Sequence, residues 1–157
     1  MIVGIDPDFQ GAIAFLGDDG SLFAAEAMPV YRVKSQKALD YAGLLCVLQK
    51  HLDPNEAHRG VLEWVNTRPN QAGGFTFGQT FGACQMALHA VGAKPFLAAP
   101  NLWKRAVGLR TGAEKKESRA LAERLFNCNM RSQSRSEAAL MALALAKGLI
   151  GPKPKLG

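Results

Sequence analysis

The first residues of the chain constrain the fold most, because an apolar strand runs directly into carboxylates. Ile2 to Ile5 are apolar apart from one glycine, and Asp6-Pro7-Asp8 follow at once. A second apolar run also ends in an acid, in Val61-Leu62-Glu63, and Glu137 stands at the head of an apolar helix. Carboxylates are rarely buried unless they are paired or bind a metal. Three acids on three core elements therefore predict a shared site of oxygen ligands, of the kind that suits Mg²⁺ or Mn²⁺.

Size and charge limit the classes of partner. The chain has 157 residues, 48% hydrophobic and 20% charged, which indicates one globular domain (1–151) followed by a short basic tail (152–157). No apolar run reaches the roughly 18 residues of a membrane span, so no membrane partner is expected. Residues 1–93 carry 6 Lys/Arg against 9 Asp/Glu, whereas residues 94–157 carry 13 against 4. This basic half suits phosphate binding, and a merely solvated basic surface is the alternative.

The apolar patterns predict an α/β domain. Three strands in meander order come first, and two further strands alternate with helices later in the chain. The expected strands are 2–5, 11–16, 22–28, 61–65 and 95–98, and the expected helices are 40–51, 77–91, 113–126, 137–149 and a short helix capped by Asn101. Residues 31–37 are predicted to be a polar connection, and 66–74 a mobile loop. In such a domain Asp6 and Glu63 could lie side by side, with the last helix bringing Glu137 to them.

An ordered set of short motifs resembles a known family. The motifs are Gly4-Ile5-Asp6-Pro7-Asp8, Val61-Leu62-Glu63, Phe77 to Gly82, Leu102-Trp103-Lys104, Ala113-Glu114-Lys115 and Arg135 to Leu140. Their order and spacing resemble the RuvC-type Holliday junction resolvases, most closely the phage and plastid branch. The resemblance implies the RNase H-like fold, a five-stranded mixed sheet with a three-strand antiparallel meander and two parallel strands, flanked by helices.

The same resemblance assigns roles to individual residues. Asp6, Glu63 and Glu137 match the metal-binding acids, which implies two Mg²⁺ ions per site with Mn²⁺ as a substitute. Lys115, together with these acids, is implied to be catalytic. The residues expected to contact DNA are Trp64, Asn66, Arg68, Lys104, Arg105, Lys115 and Lys116.

Two departures from the family pattern stand out. The family often has an aromatic residue three positions after the second acid, where this chain has Asn66, with Trp64 nearby. The family usually also has a further acid or a histidine about one helical turn before the last acid. Here residues 131–136 contain neither, and Ser134 occupies the position three residues before Glu137. The fourth metal ligand is therefore absent from its usual place.

The implied function is symmetric, metal-dependent nicking of four-way DNA junctions by a homodimer, with the small residues Gly78, Gly82 and Ala83 near its twofold axis. The implied location is the cytoplasm or nucleoid of a bacterium or phage-infected cell, or a plastid.

Two alternatives to this function stay open. One is a junction-binding protein of the same fold with impaired catalysis, favoured by the missing ligand. The other is an ATP-binding protein of the actin, Hsp70 and sugar-kinase class, which would need a duplicated domain and a second glycine-rich loop.

Overall fold

The structure is a computed structural model that describes residues 1–65, 73–110 and 112–152, and within them every side chain except that of Lys115. The described residues form seven strands: β1 (Ile2–Asp6), β2 (Ala12–Leu16), β3 (Leu22–Ala27), β4 (Val30–Val33), β5 (Gln36–Leu39), β6 (His58–Glu63) and β7 (Ala93–Ala98). They also form five helices: α1 (Tyr41–His51), α2 (Gly74–Ala90), α3 (Pro100–Ala106), α4 (Lys115–Phe126) and α5 (Gln133–Ala146). None of these helices is long and apolar enough to span a membrane.

The main sheet has five strands in the order β3-β2-β1-β6-β7, which confirms the predicted mixed sheet. β1, β2 and β3 pair antiparallel, whereas β1, β6 and β7 pair parallel. β1 and β2 are almost continuously buried because helices cover both faces of the sheet. One apolar cluster lies under α5 with its neighbours α3 and α4, and the other lies under α1 and α2.

The predicted polar connection at residues 31–37 is wrong, because this segment forms most of a β-hairpin. β4 and β5 pair antiparallel from Val30↔Leu39 to Val33↔Gln36 and form a sheet of their own. The base of the hairpin is anchored by buried Leu39, while residues 31–37 are all exposed. Tyr31 and Val33 alternate with Arg32 and Lys34, but this signal is short and both apolar side chains are exposed, so no core-facing side marks the strand.

Four helix starts also differ from the prediction. α2 begins at Gly74 instead of residue 77, and α4 begins at Lys115 instead of residue 113. α5 begins at Gln133, four residues earlier than expected, because the side chain of Ser132 caps it by accepting the Arg135 N–H at 3.3 Å. α3 begins at Pro100 after the N-cap Ala99, so Asn101 is not the cap. Proline suits the first helical position because its missing N–H would have no partner there in any case. α1 begins as predicted, with Asp40 accepting the Gly43 N–H at 2.8 Å.

Candidate functional site

Strand register brings the first two predicted acids together. β1 and β6 pair in parallel with Ile5 opposite Leu62, so the next residues, Asp6 and Glu63, stand level at neighbouring strand ends. The carboxyl ends of parallel strands form the edge at which open α/β sheets bind ligands. The predicted proximity of Asp6 and Glu63 therefore follows from a register that the sequence alone does not specify.

A glycine in β1 allows α5 to bring the third acid to the same edge. A Cβ atom at Gly4 would collide with the carbonyl oxygen of Ala138 and lie 3.0 Å from the Cβ of Ala142. The α5 backbone therefore packs directly on β1, two residues from Asp6. Glu137 precedes Ala138 and lies on the second turn of α5 rather than the first. The charge of Glu137 is therefore not explained by the helix dipole, which favours acids in the first turn.

The three carboxylates interact electrostatically. The pKa of Asp6 is raised from 3.8 to about 7, first by burial and then by the negative charge of Glu63, with smaller contributions from Glu137 and Asp8. A hydrogen bond from the Ser134 side chain opposes this rise. The carboxylates at this edge of the sheet therefore carry more negative charge than the surrounding residues neutralise.

A hydrogen bond from Trp103 holds Glu63. The pKa of Glu63 is raised, mainly by burial, while this hydrogen bond has the opposite effect. The Trp103 indole N–H donates to Glu63 Oε1 at 2.8 Å, and Trp103 is fully buried in α3. A buried indole has few alternative rotamers in a packed core, so this contact orients the Glu63 carboxylate.

One cation lies within the acid cluster. Lys104 Nζ is 3.5 Å from Glu137 Oε1, and both side chains are largely buried. The same ammonium group lies 5.3 Å from the centroid of the Trp103 ring. α3 therefore supplies both a donor to Glu63 and a positive charge next to Glu137.

The chemistry of the donor set fits a hard divalent cation. Asp6, Glu63, Glu137 and the Ser134 hydroxyl offer only oxygen, which is the ligand type that Mg²⁺ and Mn²⁺ prefer. A bound cation would offset the negative charges of Glu63 and Glu137, which add to burial in raising the pKa of Asp6. The side chains do not form a ready-made cage, since among the described residues no group of three or more His, Cys, Asp or Glu is placed to hold a metal ion.

The other predicted site residues that the structure describes lie directly after β6, on α3 and on α4. Trp64 is half-exposed directly after β6, and its backbone N–H donates to the Ala98 carbonyl at 2.9 Å. Arg105 is exposed on α3, and Lys116 pairs with Glu114 at 2.9 Å on the surface. Lys115 is the first residue of α4. Asn66 and Arg68 lie outside the described residues.

Some contacts of the site have no counterpart in the sequence-based prediction. Trp103 belongs to a motif that carries the family resemblance, but its hydrogen bond to Glu63 depends on how α3 docks on β6. Cys84 on α2 lies under the acid cluster, where burial, followed by the charge of Asp6, raises the pKa of its thiol to about 12. Asp8 acts as a turn residue, since its carboxylate accepts the Gln10 N–H at 3.2 Å.

Comparison with known proteins finds similarity in structure and not in sequence. No protein-family model and no curated protein matches the chain. Among solved structures, Thermus thermophilus RuvC in complex with Holliday junction substrate superposes with a TM-score of 0.70 at 17% identity, covering 91% of this chain and 90% of that one. A second Thermus thermophilus RuvC structure gives 0.67 at 20% identity, covering 91% of each chain.

These matches define the class of fold. The chain has the fold of RuvC over nearly its whole length, as the motifs predicted. At such low identity the likeness extends to the fold alone, so the activity has to be argued from this chain's own residues.

Proposed function

We propose that this protein is a metal-dependent, structure-selective endonuclease that makes symmetric nicks in four-way DNA junctions. The observation that carries the proposal is the cluster of Asp6, Glu63 and Glu137 at one sheet edge, where burial, and then the charges of the other two acids, raise the pKa of Asp6. The fold is shared with RuvC, one structure of which contains a Holliday junction substrate. The surplus of Lys and Arg in residues 94–157 supports a phosphate-rich substrate.

The chain's own residues would position the reacting phosphodiester. Asp6, Glu63 and Glu137 would hold two Mg²⁺ ions, which when bound supply an activated water and stabilise the leaving 3′-oxygen. Trp103 keeps the Glu63 carboxylate oriented through its 2.8 Å hydrogen bond. Lys104, 3.5 Å from Glu137, adds positive charge near the phosphate, and Lys115 at the start of α4 is proposed to do the same.

The twofold symmetry of a four-way junction favours a C2 dimer with two identical sites. The surface proposed for self-association is a groove of about 530 Å³ between α1 and α2. Gly78 and Gly82 are open there, with nothing within 4 Å of a Cβ built on either residue. Exposed Tyr41 and Met86 flank them, so the groove presents apolar surface that a second copy could cover.

The direct test is cleavage of a labelled four-way junction with Mg²⁺, with Mn²⁺ and with EDTA. Paired nicks that depend on the cation, and that disappear in Asp6→Asn while junction binding persists, are the expected result. A linear duplex of the same sequence serves as the substrate control. Cleavage that is equal on duplex and junction would contradict structure selectivity.

A second candidate function is junction binding without cutting. The observation that favours it is Ser134 on the Asp6 side of α5, where a hydroxyl stands in place of a stronger carboxylate ligand. If the parent chain binds junctions but never cuts them, and Ser134→Asp restores cutting, this alternative is correct. If Ser134→Asp leaves the Mg²⁺ dependence of an active enzyme unchanged, three acids suffice.

A further inference from the structure

The β4–β5 hairpin concentrates positive charge in the acidic half of the chain. Residues 28–39 contain Arg32, Lys34 and Lys37 and no acid, and all three side chains are exposed. Residues 1–93 as a whole carry more acids than bases. The hairpin is therefore a local reversal of charge, which general solubility does not require.

The remaining described cations of this half are already paired. Lys50 lies 3.3 Å from Glu26, and Arg59 lies 3.1 Å from Asp18. In residues 1–65 and 73–93, the Lys and Arg side chains without a carboxylate within 4.0 Å are the three of the hairpin. Charges held away from any carboxylate remain available to an external anion.

The hairpin stands beside the candidate site. Two cavities of roughly 450 and 380 Å³ separate it from the first turn of α2, and Gln36, Lys37, Phe9 and Thr76 border both. Asp8, two residues beyond Asp6, borders the larger cavity. The hairpin therefore lies along the same edge of the molecule as the acids.

The hairpin is also held firmly at its base. Leu39 is buried, and the Asp40 N–H donates to the Pro29 carbonyl at 3.0 Å across the open end. An isolated two-stranded hairpin is marginal in water, so this anchorage is what supports an exposed tip. A firm base with a projecting, charged tip limits the side-chain and loop ordering that binding would otherwise require.

We propose that the β4–β5 hairpin is a second DNA-binding element, which contacts the phosphates of a duplex arm next to the acid cluster. The inference rests on the proposed function, and it adds that a duplex arm of the junction lies against the face that carries the hairpin. A two-stranded ribbon is narrow enough to approach a duplex groove, and Lys and Arg are the usual phosphate donors. Each phosphate contact steepens the salt dependence of binding by about 0.9 in log–log slope, so three contacts contribute roughly 2–3.

The test compares two triple variants of the full-length chain that lose the same charge. The hairpin variant, Arg32→Ala/Lys34→Ala/Lys37→Ala, removes the three cations of the hairpin. The control variant, Lys94→Ala/Arg124→Ala/Lys147→Ala, removes three exposed cations elsewhere. Binding to a fluorescent four-way junction is measured by anisotropy in EDTA over a series of KCl concentrations. The hairpin variant should bind at least about 10-fold more weakly, and its log–log slope of affinity against salt should flatten by roughly 2. The control variant should change this slope by less than about 1.

A second variant guards against misfolding. Lys34 has φ 56°, a left-handed conformation that glycine adopts without strain, so Lys34→Gly removes one charge from the turn and preserves its shape. It should lower the slope by about 0.9. Equal losses in the two triple variants, or an unchanged slope in the hairpin variants, would overturn the hairpin proposal alone. Failure of the unmodified chain to bind junctions would overturn the proposed function and the hairpin proposal together.

Discussion

α5 and α2 cover opposite faces of the same sheet, yet they differ in how completely they are buried. α5 has nine buried residues and lies so close to β1 that Gly4 has no room for a Cβ. α2 has four buried residues, and it exposes Phe75, Met86 and the open positions Gly78 and Gly82. Tight packing therefore positions α5 and the acid that it carries, whereas α2 leaves exposed the surface at which we propose self-association.

The largest effect should come from the acid on α5. Glu137→Gln should lower cleavage by more than about 100-fold, beyond the roughly 10–100-fold losses typical of outer-shell partners of a metal, while junction binding persists. His89→Gln, an exposed change on α2, is the matched control and should leave the rate unchanged. The measurement is single-turnover cleavage with protein in excess. Residual activity above about a tenth of the parent rate would argue against a ligand role for Glu137.

The second-largest effect should come from a substitution at Gly4, where α5 packs on β1. Gly4→Ala should destabilise the fold by about 1–3 kcal/mol, because the new methyl group meets the Ala138 carbonyl, and should lower cleavage as Glu137 is displaced. Gly78→Ala on α2 meets nothing within 4 Å and should stabilise the helix by up to about 1 kcal/mol. Urea unfolding of both variants checks the contrast. Similar free energies of unfolding for the two would contradict the difference between the helices.

The acid cluster should also make stability depend on pH when no divalent cation is present. The pKa of Asp6 is about 7 in the folded chain against 3.8 as its ordinary value, so the folded state binds the extra proton between these limits. Stability should therefore fall as pH rises from about 4 to about 7. Asp6→Asn should be more stable than the parent at pH 8 by about 1–3 kcal/mol and similar at pH 4.

Thermal unfolding in EDTA across this pH range is the measurement. Glu56→Gln, which removes an exposed carboxylate outside the cluster, controls for the change in net charge. Parallel pH profiles of the parent chain and Asp6→Asn would show that the pKa of Asp6 is not raised in solution.

The smallest effect is expected at the association surface. Gly82→Leu places a large side chain in the α1–α2 groove and should shift the protein from dimer to monomer with little change in thermal stability. Light scattering across a concentration series measures the shift. A parent chain that is monomeric at assay concentration and still nicks junctions symmetrically would rule out this dimer surface.

Much of the sheet was predictable, and the reasons are local. β1 and β2 are apolar runs with clear ends, and Asp18-Asp19-Gly20 marks the turn before β3. Helix α1 begins at a recognisable cap, Asp40. These features depend on side-chain patterns within a few residues, which a sequence displays directly.

The errors arose where local patterns are weak. The hairpin tip has no buried side chain, so the short alternation of Tyr31 and Val33 with polar residues does not mark a core-facing strand. α5 starts before its apolar stretch because Ser132 caps it and the first turn is polar. In both cases hydrogen bonds, rather than hydrophobic periodicity, define the element.

The sequence by itself determined the α/β class, the three acids at the ends of core elements and the unequal distribution of charge. Tertiary structure decided which groups meet: the Ile5↔Leu62 register aligns Asp6 with Glu63, and the fit of α5 on Gly4 adds Glu137. It also decided that Trp103 binds Glu63. The physical reason is that strand register and helix docking are fixed by close packing between residues far apart in the chain, which no short stretch of sequence encodes.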